Sequence, residues 1–201
     1  MNLKTMSIAM VGALLLVGTS STAASAEEQE SGLPQVACWG SLETGESVCA
    51  PDDASLSEVL LEDFDIVRVD SVDEARAFND HAAQNSARSS GAAAPQAVVR
   101  GITLYEGASL SGSYLDLTFN QFSGQPCGGS SAWLGQYKRA GILTWDDTVS
   151  SFQVRVDGCY ATAYKDSDYR GQSYGKVRSA DAVGLNSRGL NKAISSIKVT
   201  S

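Results

Sequence analysis

Two stretches of this sequence share one pattern: Tyr105–Gly112 (YEGASLSG) and Tyr164–Gly171 (YKDSDYRG). Each has an aromatic residue, four residues, a large apolar or aromatic residue, one further residue and a glycine. Each follows a run that alternates as a β-strand does, Val99–Leu104 in the first case and Cys159–Ala163 in the second. The pattern predicts a strand that enters a tight turn, because the closing glycine can adopt a positive φ at little cost.

A second pair of matching stretches follows the first pair. Asp146–Ser151 (DDTVSS) and Asn191–Ser196 (NKAISS) each run into a strand-like segment, Phe152–Val156 and Ile197–Thr200. The hairpins are 59 residues apart and the hexapeptides 45, so the first copy carries about 14 extra residues. We place these extra residues in the Gly- and Ser-rich loop Gln125–Ala140.

The two hairpin motifs and two hexapeptides, in the same order in each copy, make residues 98–201 resemble a βγ-crystallin domain. The resemblance implies an all-β fold, a double Greek-key β-sandwich of two antiparallel sheets with pseudo-two-fold symmetry. It does not extend to residues 27–85, which we expect to form a small acidic N-terminal segment containing both α and β elements.

The resemblance also implies two bound calcium ions. Ca²⁺ prefers six to eight oxygen ligands, so carboxylates, hydroxyls and backbone carbonyls suit it and no histidine or thiolate is needed. By resemblance, the ligands come from the residue after each hairpin aromatic and from the two hexapeptides: Glu106, Asp146, Asp147, Thr148, Ser150, Lys165, Asn191, Ala193 and Ser195. The assignment of particular oxygens to particular ions stays open.

The second hexapeptide departs from the family pattern at Lys192, where Asn or Asp is usual. An ammonium group cannot ligate a cation and repels it, although the backbone carbonyl remains available. The sequence therefore predicts two inequivalent sites, with dissociation constants of about 10⁻⁵ to 10⁻³ M.

The N-terminus has the pattern of a signal peptide. Lys4 precedes the apolar run Ser7–Val17, and small residues lead to Ala26. The run is shorter than the ~20 residues needed to cross a bilayer as a helix. We expect residues 1–26 to be removed after Ala26, the protein to be secreted, and no membrane attachment to remain.

Export changes the interpretation of the four cysteines, because disulfides form in oxidising compartments. Four cysteines allow three connectivities. We favour Cys38 with Cys49 and Cys127 with Cys159, since each pair lies within one compositional region. As structural cross-links that close loops of these sizes, the two disulfides are each expected to add about 3 to 4 kcal/mol to the free energy of unfolding.

The overall charge of −8 is divided unequally along the chain. Residues 27–97 contain 15 acidic residues and three arginines, a net charge of −12, whereas residues 98–201 contain 8 acidic and 11 basic residues, a net charge of +3. Residues 86–97 are rich in Ala and Ser and predict a flexible linker. The charge split suggests that the acidic segment docks on the second part or serves as a removable pro-segment.

Local patterns predict three elements in the acidic segment. Ser55–Glu62 has apolar residues at helical spacing, and Asp65–Val69 alternates as a short strand. Ser71 and Glu74 form a capping-box pattern that begins a helix ending near Gln84.

Composition limits the function. The only histidine, His81, falls on the predicted second helix with no acidic residue convincingly beside it, so we expect no enzyme. The acidic balance argues against a nucleic-acid binder. We expect a monomeric, secreted, calcium-binding structural module. The alternative is a secreted protease inhibitor that presents Trp133 and Tyr137 of the long loop to a protease.

Overall fold

The computed structural model describes residues 34–86, 94–119, 127, 130–139 and 143–201. The expected signal peptide, residues 1–26, and most of the expected linker lie outside these ranges. The described residues form three α-helices, α1 Asp53–Phe64, α2 Val72–Ser86 and α3 Ala182–Asn186, and one 3-10 helix, Leu134–Gln136. They also form eleven strands: β1 Ala37–Ser41, β2 Ser47–Ala50, β3 Ile66–Val69, β4 Gln96–Tyr105, β5 Tyr114–Phe119, β6 Ser131–Trp133, β7 Ser151–Val154, β8 Tyr160–Tyr164, β9 Ser173–Val177, β10 Ser179–Ala180 and β11 Ser196–Thr200.

The strands of the two sequence repeats form two sheets that exchange one strand each. The first sheet contains β10-β7-β4-β5-β1-β2, and the second contains β6-β11-β8-β9. The first repeat supplies β4 to β7 and the second supplies β8 to β11, so the third strand of each repeat, β6 or β10, lies in the other repeat's sheet. This pseudo-symmetric arrangement confirms the predicted double Greek-key β-sandwich.

The main core lies between these two sheets. It contains alternating residues of both, among them Leu104, Leu117, Phe152 and Ile197, all fully buried. Each such side chain contributes about 1.5 to 3 kcal/mol by leaving water. The alternation follows from the two-residue period of a strand, which places every second residue on the core face.

The acidic segment is joined to the sandwich by continuous backbone pairing. Strand β1 runs parallel to β5, and β3 runs parallel to the first half of β4. The first sheet therefore crosses the boundary that composition predicted at residues 86–97. Helix α2 continues to Ser86 and β4 begins at Gln96, with residues 87–93 outside the described ranges.

We call residues 37–86 the N-terminal layer. Its strands extend the first sheet, Ala75 of α2 joins the main core, and α1 packs on the opposite face of the sheet. Leu56 and Leu60 of α1 pack with Ala37, Trp39 and Ala50 in a second apolar cluster separate from the main core. The Trp39 side chain is 2% exposed. Its indole N–H donates a hydrogen bond to Thr118 Oγ1 of β5 at 2.8 Å. Apolar burial and strand hydrogen bonds thus hold the layer in place, in addition to charge attraction.

The local predictions for this layer are largely confirmed. Helix α1 is longer than predicted and begins after Asp52, whose side chain accepts a hydrogen bond from Ser55 N. At the start of α2, Ser71 Oγ accepts from Glu74 N at 3.1 Å, which is one half of the predicted capping box. His81 is exposed on α2, with its Nδ1 3.1 Å from Asn85 Nδ2.

Both predicted disulfides, Cys38–Cys49 and Cys127–Cys159, are present. The first joins the antiparallel strands β1 and β2 at directly opposed positions. The second ties the long loop of the first repeat to the residue before β8, and both of its cysteines are buried. Among the described residues, no helix is both long and apolar enough to cross a membrane.

Candidate metal centre

Each predicted hairpin is a turn closed by backbone hydrogen bonds. In the first, Glu106 N donates to Ser113 O at 3.0 Å, and in the second, Lys165 N donates to Gln172 O at 2.9 Å. The closing glycines, Gly112 and Gly171, have φ values of 80° and 72°. These values confirm why the sequence requires glycine at both positions.

The last serine of each hexapeptide holds the hairpin of its own repeat. Ser151 Oγ donates to Gly107 O at 2.7 Å and accepts from Leu110 N at 3.0 Å. Ser196 Oγ repeats both bonds in the second hairpin, with Asp166 O and Tyr169 N. Sequence reasoning did not assign a role to these serines, although their repetition at the sixth position was the available signal.

The two hexapeptides lie against each other. Asp147 N donates to Ile194 O at 3.1 Å, and the equivalent Lys192 N donates to Val149 O at 2.9 Å. Asp147 and Lys192 also share a left-handed backbone, with φ values of 55° and 51°. The second position of each hexapeptide is therefore held beside the other hexapeptide rather than beside its own fifth-position serine.

The fifth-position serines link the hexapeptides to the hairpins. Ser150 N donates to Tyr105 O at 2.8 Å, and Ser195 N donates to Tyr164 O at 3.0 Å. Each serine thus lies next to the residue that follows a hairpin aromatic, Glu106 or Lys165. Together with the crossing of the hexapeptides, these bonds bring the predicted ligand residues into two groups.

The first group, which we call site 1, contains Asp147, Lys165, Ala193 and Ser195. Asp147 Oδ1 lies 3.4 Å from Ser195 Oγ. Partial burial, followed by the neighbouring Asp146, raises the pKa of the Asp147 carboxyl above its usual 3.8, while Ser195 and Lys165 act in the opposite direction. Site 1 thus combines a carboxylate with a hydroxyl from the other repeat.

The second group, site 2, contains Glu106, Thr148, Ser150 and Lys192, related to site 1 by the pseudo-two-fold symmetry. Lys192 takes the position that Asp147 has in site 1. The Glu106 carboxylate forms a short ion pair with Arg139, and both side chains are largely buried. The acidic side chain of site 2 is therefore already neutralised, and a lysine replaces the expected ligand.

The first residue of each hexapeptide leaves an oxygen without a partner. Asp146 Oδ1 and Asn191 Oδ1 are buried and have no hydrogen-bond partner among the described residues. A buried polar atom without a partner is costly, so a ligand or ion that it contacts would be stabilising. The described residues contain no group of three or more His, Cys, Asp or Glu side chains placed so that they could hold a metal ion. A cation here would therefore depend on hydroxyl and carbonyl oxygens, which fits Ca²⁺ better than Zn²⁺.

The two aromatic residues singled out in the long loop differ in exposure. Tyr137 is fully buried, and its hydroxyl donates to Ser41 O at 3.1 Å, so it is a core residue and cannot present a contact surface. Trp133 is 46% exposed. Residues 120–126, 128–129 and 140–142, which include part of this loop, lie outside the described ranges.

Comparison with known proteins gives similarity to solved structures only. No family model matches the sequence, and no curated protein matches it. The N-terminal domain of Protein S is 27% identical, with a TM-score of 0.37 and coverage of 50% of this chain and 96% of that domain. A βγ-crystallin domain from Flavobacterium johnsoniae is 19% identical, with a TM-score of 0.35 and coverage of 50% and 93%. One from Clostridium beijerinckii is 18% identical, with a TM-score of 0.36 and coverage of 49% and 95%.

The assignment of the fold rests on the chain itself. Two hairpins closed by glycine, two hexapeptides that cross, and two sheets that exchange their third strands are all present. By these features, the part of the chain from β4 to β11 has the βγ-crystallin fold.

Proposed function

We propose that this protein is a secreted calcium-binding structural module with two inequivalent sites. The observation that carries the proposal is the contact between Asp147 of one hexapeptide and Ser195 of the other. In site 1, the Asp147 carboxylate and the Ser195 hydroxyl would bind the ion, and the backbone carbonyls of Lys165 and Ala193 would supply further oxygens. The ion would bridge the two repeats and so stabilise the sandwich.

Charge supports a difference between the two sites. Site 1 has a carboxylate at the second hexapeptide position, and Asp146 lies close enough to act on its pKa. Site 2 has the ammonium group of Lys192 at the equivalent position, and Arg139 neutralises the nearby Glu106. We therefore propose that site 1 binds calcium more tightly, and that site 2 depends on Thr148, Ser150 and backbone carbonyls.

Replacing Asp147 with alanine tests the metal proposal. The variant is expected to lose the tighter of two calorimetric binding events, because it removes the only carboxylate of site 1. At ten times the dissociation constant, calcium adds about 1.4 kcal/mol to the stability of the wild-type protein, and D147A should lose this rise in Tm. The matched control is Asp73→Ala on α2. It removes an equal charge from an exposed position that is far from Asp147 in the sequence.

The reciprocal change is Lys192→Asp. This variant is expected to strengthen the weaker calcium-binding event, because it places a carboxylate in site 2. Titration of D73A should match the wild type. Unaltered binding by D147A, or no heat and no change of Tm at millimolar calcium in the wild type, would refute the calcium proposal.

Export is part of the same proposal and has its own measurement. Expression of the complete coding sequence in a secreting bacterial host should yield extracellular protein whose first residue is Glu27. This expectation rests on the signal-peptide pattern of residues 1–26 and on two disulfides, which persist in oxidising compartments. N-terminal sequencing that begins at Met1, or protein retained in the cytosol, would contradict it.

A further inference from the structure

The outer faces of the two sheets differ. The N-terminal layer covers the face of the first sheet through α1 and the cluster around Trp39. On the second sheet, the outward positions of β6, β11, β8 and β9 are partly or fully exposed, except Ser196, which is buried, and Trp133 is 46% exposed.

Register places several aromatic and hydroxyl side chains together on this face. Trp133 pairs with Ser196, which pairs with Tyr164, and directly opposed residues share a face. Two residues along β11, and so on the same face, Lys198 pairs with Thr162, which pairs with Gly175. We define the aromatic face by its outward residues: Trp133, Tyr160, Thr162, Tyr164, Ser173, Gly175 and Lys198.

Every charged side chain on the four strands of the aromatic face is a lysine, and the adjoining hairpin carries Asp166 and Asp168. The four strands of the second sheet have the sequences SAW, SIKVT, YATAY and SYGKV, which contain no acidic residue. Lys198 Nζ lies 4.7 Å from the centre of the Tyr169 ring and 5.8 Å from that of Tyr164. Lys176 Nζ lies 5.6 Å from the centre of the Tyr160 ring. Contact with a ring positions an ammonium group while leaving N–H donors free for an anion.

A cleft of about 360 Å³ continues the aromatic face at edge strand β9. It is lined by Thr162, Ser173, Gly175 and the exposed Arg188, together with Tyr174 and Val177. A Cβ at position 175 would lie 2.4 Å from the Thr162 side chain, so glycine is required where these two strands meet. With four strands about 4.8 Å apart, the distance from Trp133 to this cleft is about 14 Å.

We propose that the aromatic face binds an acidic polysaccharide. Trp133 rests against Gly135, whose added Cβ would lie 2.6 Å from the ring, so one side of the indole is supported and the exposed remainder can stack on a sugar. The hydroxyls match the hydroxyls of a sugar chain, and the cations Lys198, Lys176 and Arg188 match its carboxylates. The distance across the face suits a polymer rather than a single sugar.

The same features disfavour a single-stranded nucleic acid. Nucleic-acid strands bind to proteins largely by stacking successive bases on aromatic rings. Here the rings of Tyr160, Tyr164 and Tyr169 already carry ammonium groups on or near a face, which leaves Trp133 as the available platform.

The test is calorimetric titration of the mature chain with polygalacturonate in EDTA, so that it is independent of calcium binding. Neutral dextran and a thymidine oligonucleotide of similar length are titrated in parallel. We expect binding of polygalacturonate alone. Trp133→Ala should weaken it about tenfold, and Lys198→Gln about threefold. The matched controls Phe78→Ala and Lys138→Gln, which alter an exposed aromatic and an exposed lysine outside the aromatic face, should bind as the wild type does.

Three outcomes would overturn the proposal. These are no binding of polygalacturonate, equal or tighter binding of the oligonucleotide or of dextran, and unchanged binding by both W133A and K198Q. A loss shared by K138Q and K198Q would show that only net charge matters, which also contradicts a defined site. Failure of the calcium experiment leaves this result unaffected, because the assay contains no free calcium.

Discussion

Replacing Arg68 with methionine is expected to lower the free energy of unfolding at pH 7 by about 3 to 5 kcal/mol. Arg68 belongs to β3 of the N-terminal layer and is 6% exposed, and its Nη1 lies 2.7 Å from Oδ2 of the fully buried Asp116 on β5. Methionine fills much of the same volume but leaves the carboxylate with Arg100, at 3.7 Å, as its nearest cation. Removing one partner of a buried pair is costly because the other charge stays buried.

The pH dependence of this loss identifies its cause. Burial raises the pKa of Asp116 above its ordinary 3.8, against the opposing effects of Thr103, Arg68 and Arg100. A carboxyl with a raised pKa contributes stability that is fully present below pH 3.8 and is lost as the pH rises through the folded-state pKa. Without Arg68 that pKa should rise further, so the difference between R68M and wild type should be larger at pH 7 than at pH 4.

Urea unfolding of both proteins at pH 7 and pH 4 measures this difference. The control is Arg76→Met, which breaks an exposed ion pair with Asp73 and should cost less than about 1 kcal/mol. A deficit of the same size at both pH values would show that R68M acts through packing and not through the charge of Asp116.

Replacing Trp39 with alanine is expected to cost about 3 to 5 kcal/mol, as large core truncations do. The indole is 2% exposed, packs with Leu56 and Leu60, and lies 5.4 Å from the Phe64 ring between centroids. Its removal also leaves Thr118 without its indole N–H donor. Trp133→Ala is the matched control, because the same truncation at an exposed site should cost less than about 1 kcal/mol.

The shape of the unfolding transition distinguishes an integral layer from a detachable one. Because the N-terminal layer and the sandwich share one sheet, W39A should still unfold in a single transition at lower urea. Two separate transitions, with only the first altered by W39A, would indicate that the N-terminal layer folds by itself. That result would support the hypothesis that the layer is a removable pro-segment.

The sandwich was predictable because its signals are local and repeated. Each hairpin needs a glycine at one position, Gly112 or Gly171, and each hexapeptide needs a serine that closes the hairpin of its own repeat. These requirements act over tens of residues at most and appear twice in the same order. The disulfides were predictable for a similar reason, since each joins cysteines within one compositional region.

The position of the N-terminal layer was not predictable in this way. Ala37 lies opposite Tyr114 in a parallel pair, and nothing near either residue in the sequence specifies a partner 77 residues away. The charge contrast between the two parts suggested electrostatic docking. In the structure, the contact is made by strand pairing, by the cluster around Trp39, and by Arg68 with one buried aspartate.

The sequence by itself determined the double Greek-key fold and the kinds of residue that form the candidate metal centre. Only the tertiary structure decided that Asp147 faces Ser195 of the other repeat, and that Lys192 is held beside Val149 in the equivalent place. A hairpin or cap is fixed by hydrogen bonds between near neighbours, which leave a pattern in the sequence. Contacts between repeats, and between the N-terminal layer and β5, depend on how whole sheets pack, and no local spacing encodes that packing.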